Sequence, residues 1–359
     1  MGTEQLLHRE ARFVRLEAAN LDDLVNCLHA DGYDVIGPVC KDDAIVLVPI
    51  QSAGELARGW VDEQGPASYR VKKSGDQWFG SASSPTSWKR FLYPPSLKLF
   101  RSSQSNGTAA IEEPARTSKP YAFLGVRPCD LEAIRIQDKI FLEGGYSDPW
   151  YAEARRTLFT IVVACAKPGG TCFCDSMNTG PKASAGFDIQ MFELDQFFLA
   201  EAGTDRGSAM LARLPHRPAT DAEVQLTEIQ QEQAKHSMGR VLKTEGLQEI
   251  LADRPSDPYW EVIGKRCLAC ANCTMTCPTC FCFTIDDTIS LSGKEAERTR
   301  RWDSCFTAEF SYIHGGSVRS TVHARYRHWL THKLSSWVEQ FGTMGCVGCG
   351  RCITWCPAK

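Results

Sequence analysis

The chain has 359 residues, 43% of them hydrophobic and 23% charged, with a formal net charge of −3. That length allows two or three domains with a sizeable core, and the composition excludes wholesale disorder. The charge provides no basic field to draw nucleic acid. The longest apolar runs, AIVLVPI (44–50) and LFTIVVAC (158–165), are too short to span a bilayer. The N-terminal stretch MGTEQLLHREARFVRLEAANLDD carries charges throughout, where a signal peptide needs a continuous apolar segment. A cytoplasmic protein is expected, with neither nucleic acid nor membrane as a partner.

Residues 1–100 read as an N-terminal α/β region. It has a helix in LDDLVNCLHADGY (21–33), strands AIVLVPI and SYRVKK (68–73), and a proline-bounded end, FLYPPSLKLF (91–100). Residues 101–119 are polar and aperiodic, a loop or linker. Residues 120–204 read as an α/β unit in which strand YAFLGV (121–126), a helix starting at RPCDLEAI and strand LFTIVVAC make a parallel crossover. Ligands of such units sit beyond the carboxyl ends of the strands, where Cys129 and Cys165 fall. Residues 205–256 read as a helical connector with a capping box at Thr220 and Glu223. In 257–359, helices alternate with cysteine runs, and HARYRHWLTHKLSSWVEQFG puts Tyr326, Leu330, Leu334 and Trp337 on one helical face. The expected fold is an α/β N-terminal part followed by a mostly α-helical ferredoxin-like domain with two cluster-binding loops. No GxGxxG or P-loop fingerprint marks a nucleotide site.

Seventeen cysteines in a reducing compartment point to metal ligation. The pattern C-x2-C-x2-C-x3-C-P occurs twice, at Cys267, Cys270, Cys273, Cys277 and at Cys346, Cys349, Cys352, Cys356. Where two such runs occur, the fourth cysteine of each ligates the other cluster. The first [4Fe–4S] cluster is therefore assigned to Cys267, Cys270, Cys273 and Cys356, and the second to Cys346, Cys349, Cys352 and Cys277. Zinc needs four ligands and has no use for this repeated spacing. Cys129, Cys165, Cys172 and Cys174 stand at or after two strand ends and are assigned to a third [4Fe–4S] cluster. Zinc and an unmetallated redox thiol are the alternatives there. Cys280, Cys282 and Cys305 remain unassigned. Arg298, Arg300, Arg301, Arg319, Arg325, Arg327 and Lys333 read chiefly as a solvated face, with a share in offsetting cluster charge. His323, His328 and His332 read as helix surface, and Trp302 and Trp355 as shields beside the cluster cysteines.

LGVRPCDLEAI, CFCDSMNTGP (172–181), CLACANCTMTCPTCFC (267–282), RWDSC (301–305) and CVGCGRCITWCP together resemble the iron–sulfur (β) subunit of cytoplasmic NAD(P)-linked nickel–iron hydrogenases, the sulfhydrogenases. That family is similar to the iron–sulfur subunit of anaerobic sulfite reductase. The resemblance covers about 120–359. It implies an electron-transfer subunit without catalytic residues, relaying electrons between nickel–iron hydrogenase subunits and a flavin/NAD(P)H-binding subunit. The alternatives are the same role beside a sirohaem sulfite reductase subunit, or an oxidoreductase with its own catalytic cluster at Cys129, Cys165, Cys172 and Cys174.

Overall fold

The computed structural model describes residues 13–105, 108–114 and 119–359. From the N-terminus the strands are β1 (Phe13–Glu17), β2 (Asp34–Lys41), β3 (Ala44–Pro49), the hairpin β4 (Trp60–Gly65) and β5 (Ser68–Lys73), and the hairpin β6 (Ser96–Ser105) and β7 (Thr108–Glu112). They continue with β8 (Tyr121–Val126), β9 (Phe159–Val163), β10 (Ile189–Leu194), β11 (Phe197–Ala202) and β12 (Arg217–Pro218), and near the C-terminus β13 (Phe283–Ile289) and β14 (Glu295–Trp302). Eight of them form one sheet in the order β12-β1-β11-β10-β9-β8-β2-β3. Its centre is parallel, β2 on β8, β8 on β9 and β9 on β10. Every residue of β9 and β10 is buried, as expected of parallel strands covered on both faces.

Alternate residues of these strands enter two cores. Ala122, Leu124, Ile161 and Val163 pack under helix α1 (Leu21–Ala30). Phe123, Val126 and Val162 pack under α2 (Pro128–Phe141) and α3 (Pro149–Thr157) on the other face. Both of those helices begin with proline at the first helical position, where its missing N–H costs nothing.

Three expectations need correction. The sheet joins residues of 1–100 to residues of 120–204, so these are not separate units: β2 pairs with β8 across the whole intervening segment. Residues 101–105 and 108–112 are strand, not linker; 106–107 and 115–118 lie outside the described residues. The 257–359 part is not helical throughout, since β13 and β14 join β6 and β7 in an antiparallel sheet of order β13-β14-β6-β7. The polar runs hid these strands because both faces of the sheet reach solvent at this end: the exposed Arg298–Asp287 and Arg101–Glu295 ion pairs fall on opposite faces, since Arg298 stands across from Asp287 and its neighbour Glu297 across from Arg101.

In 205–256, Thr220 caps α4 (Asp221–His236) and Glu223 reaches back to Thr220 N at 2.9 Å, the anticipated capping box. Past α4 the chain runs over the cysteine region: Arg240 N donates to Cys172 O at 3.0 Å. No helix among the described residues is long and apolar enough to cross a membrane.

Candidate metal centres

The two ferredoxin runs fold alike, position by position. Ala269 and Ala271 have φ of 50° and 65°; Gly348 and Gly350, at the matching places, have 63° and 75°. A short helix follows each, Asn272–Met275 and Arg351–Thr354. Ala269 N donates to Cys267 Sγ and Gly348 N to Cys346 Sγ, both at 3.4 Å. These left-handed residues turn the backbone around the sulfurs and aim amide donors at them, as thiolate sulfur carrying iron requires.

The structure brings each expected set of thiols together. Cys267, Cys270, Cys273 and Cys356 line one cavity of about 250 Å³, which Cys352 also touches. Cys346, Cys349 and Cys352 interact with one another and with Cys277 from the other run. Cys129, Cys165, Cys172 and Cys174 line a small cavity of about 10 Å³, with Cys349 in its wall. The Cys346 group therefore lies in the middle, sharing Cys352 with one neighbouring site and Cys349 with the other. Position in the fold explains the third set: Cys129 starts α2 just past β8, and Cys165 follows β9. Phe173 N donates to Gly348 O at 2.8 Å, which clamps the Cys172–Cys174 turn onto the second loop.

The donor set suits iron–sulfur clusters. Burial pushes the Cys273, Cys174 and Cys346 thiols up to about 12, and drives Cys129, Cys172 and Cys352 well above the ordinary thiol value. Such sulfurs stay protonated at neutral pH unless a metal takes the proton's place. Arg325 Nε and Trp329 Nε1 are buried without a hydrogen-bond partner among the described residues. Both belong to helix α5 (Val322–Thr331), and Trp329 lines the first cavity; an anionic sulfide core is the acceptor such donors lack. Among the described residues no group of three or more His, Cys, Asp or Glu is arranged to hold a single metal ion. A cubane binds each thiolate at a separate iron and spreads its ligands more widely.

Buried cations accompany the thiols, and sequence reasoning missed most of them. Lys333, expected on a solvated face, is 4% exposed; its Nζ donates to Thr279 Oγ1 at 2.7 Å and Gly345 O at 2.9 Å. Burial pulls its pKa down, yet Cys277, Cys280 and Cys346 outweigh that and leave it raised. Its place one heptad after Tyr326 was the available signal, since that spacing returns to the same helix face. Lys89 is equally buried, donates to Cys280 O at 3.0 Å and lies 3.8 Å over the Trp302 ring; burial pulls it down to about 8. Arg351 and Asp130 form a bidentate pair at 2.7 and 2.8 Å, 1% and 2% exposed, between the second and third sites. Arg127, also buried, lines the third cavity and donates to Val163 O at 3.3 Å.

Arg300 and Arg325 are buried too, whereas Arg298 and Arg301 are exposed. Arg319 and Arg327 are half-buried. His328 and His332 are half-buried, their rings stacked 5.6 Å apart, and His323 bonds Thr321 at 3.2 Å. Trp355 packs on Tyr69 of β5 with ring centroids 5.0 Å apart.

The model of the 4Fe-4S dicluster domain matches residues 266–359. Sulfhydrogenase 2 subunit beta of Pyrococcus furiosus is 32% identical over 275 residues, which covers 76% of this chain and 79% of that protein.

Proposed function

The chain belongs to the family of sulfhydrogenase β subunits, and from that premise we propose that it relays electrons through a line of three [4Fe–4S] clusters in a hydrogenase complex. Its C-terminal part carries the clusters of a dicluster domain. Cys267, Cys270, Cys273 and Cys356 hold the first; Cys346, Cys349, Cys352 and Cys277 the second; Cys129, Cys165, Cys172 and Cys174 the third. Bound there, each cluster exchanges one electron. The protein's own work is to hold the thiolates, to exclude water and to place Lys333, Arg351 and Arg127 where negative charge would otherwise be buried unpaired.

The observation that carries this reading is the shared wall: Cys352 borders the first cavity and Cys349 the third, so no site stands apart. Four thiols at the third site complete a cubane's ligand set, which favours a carrier over a catalytic cluster with an open iron. One end of the line meets a flavin/NAD(P)H-binding subunit and the other a nickel–iron catalytic subunit, in the cytoplasm. The test is stopped-flow reduction of the anaerobically purified holoprotein. NADPH alone should leave the clusters oxidised, and NADPH with the flavin subunit should reduce them. Turnover of NADPH with artificial acceptors by the isolated chain would overturn the carrier role.

A further inference from the structure

Of the second site's thiols, Cys349 and Cys352 border the neighbouring sites, whereas Cys346 lines an open cleft of about 400 Å³. That volume is in the range of small-molecule sites, about 300–1,000 Å³. Three segments wall the cleft. One face of α2 brings Glu132, Arg135, Ile136 and Lys139 to it, at the spacing that returns to the same side of a helix. The turn after Cys174 brings Met177 and Asn178, and the approach to Cys346 brings Met344. The base is apolar: Ile136 is buried, and Met177, Met344 and Cys346 pack together against Leu251, Trp260 and Leu334. The rim is polar. Asn178 stands exposed there, and its amide can both donate and accept. Glu132 is taken up by Arg135 at 2.8 Å. Lys139 has no carboxylate partner among the described residues; its Nζ donates to Phe341 O at 2.9 Å, which uses one of three ammonium hydrogens. Two thioethers at the base suit a flat aromatic ring, the amide suits ring heteroatoms, and the unpaired ammonium suits a phosphate.

We propose that this cleft binds flavin mononucleotide, its ring on the two methionines and its phosphate at Lys139, beside the second cluster at Cys346. The inference rests on the second site holding a cluster. Reduced FMN, as its anion, carries one hydrogen on N5. When it is oxidised that N–H bond breaks and the proton leaves to water in the open cleft. Its two electrons pass singly to the second cluster, which hands the first on to a neighbouring cluster before taking the other. Two oxidised cubanes are then each reduced by one, and FMN is left oxidised. In the opposite direction two reduced cubanes and one proton restore the reduced anion. Flavins exchange electrons in pairs or singly and clusters only singly, so a flavin here gives the middle of the relay a two-electron stop.

The test titrates FMN, riboflavin and AMP into the anaerobic full-length holoprotein, following flavin fluorescence and, for AMP, heat of binding. The wild type should bind one FMN per chain, with riboflavin, which lacks the phosphate, at least tenfold weaker and AMP weaker still. Lys139→Glu should raise the Kd for FMN at least tenfold and leave that for riboflavin unchanged. Thr244→Trp, which fills the cleft from its rim, should weaken both flavins at least tenfold. Absence of saturable FMN binding to the wild type would overturn the proposal, and that result does not depend on a variant folding. Equal affinities for FMN and riboflavin, or for FMN and AMP, would overturn it too, as would FMN affinity unchanged in both variants. EPR of the dithionite-reduced sample separates this proposal from the relay. Cluster signals without FMN binding remove the flavin site alone, whereas absence of cluster signals removes the relay itself.

Discussion

The loop starting at Cys267 and the loop starting at Cys346 follow the same backbone path, yet alanine fills the left-handed positions of one and glycine those of the other. Their neighbours account for the difference. A Cβ at Gly348 would come 2.6 Å from the Phe173 backbone, and one at Gly350 2.5 Å from Thr171 O. The second loop is pressed against the Cys172–Cys174 turn and has no space for a methyl group. Ala269 and Ala271 stay half-buried, accepting the strain of about 1–2 kcal/mol that a left-handed L-residue carries. Cys270 is exposed, whereas its counterpart Cys349 is 7% exposed. One motif thus serves as a terminus that meets the outside and as a sealed junction between two other sites.

Asp130→Ala is the strongest way to break that contrast. It strands the fully buried Arg351 guanidinium on the junction side and should destabilise the protein by about 3–5 kcal/mol in chemical denaturation. Arg325→Ala, on the terminal side, removes bonds to the Arg319 and Ser320 carbonyls and the Nε donor offered to the first cluster, but strands no buried partner charge and should cost clearly less. Next comes the glycine itself. Gly348→Ala adds a backbone clash to a left-handed strain and should cost about 3 kcal/mol or more, with loss of the second cluster's EPR signal. Ala269→Gly should leave stability within about 1 kcal/mol of the wild type, on the favourable side. Equal tolerance of the two changes would refute the packing account.

Lys333→Met sharpens the comparison electrostatically. Removing a buried cation beside Cys277 and Cys346 should lower the reduction potential of the second cluster in an EPR-monitored titration and leave the first near its wild-type value. A uniform shift of both clusters would contradict the placement.

The smallest expected effect is a pH dependence on the terminal side. Burial holds His328 down to about 4, so its imidazole is neutral in the folded chain near neutral pH. The stability tied to that neutral form is complete above the ordinary histidine value of about 6.5 and is lost as pH falls from there towards about 4. His328→Asn should flatten that part of the stability–pH curve, and an unchanged slope would place the titration elsewhere.

Local features were legible in the sequence and non-local ones were not. The ferredoxin spacings are short-range, so both loops could be read directly. Cys129 and Cys165 could be placed because a parallel crossover puts both strand ends on one edge. By contrast, the pairing of β2 with β8 joins segments far apart in the chain. The strand β6, ending RSSQS, lacks apolar alternation because both faces of its sheet reach solvent at that end. Lys333 reads as surface because charged residues usually are, and nothing in the sequence singles out Lys89, Arg351 or Asp130. What buries them is the meeting of three thiol sets, which no single segment of sequence records. The helical expectation for 257–359 holds only in part for the same reason, since β13 and β14 are completed by strands from the other half of the chain.

Iron, acid-labile sulfide and zinc determined on one anaerobically purified sample test the relay most directly. Three cubanes predict about twelve irons and about twelve sulfides per chain with no stoichiometric zinc. About eight irons would return Cys129, Cys165, Cys172 and Cys174 to packing or thiol chemistry and contradict the three-site line.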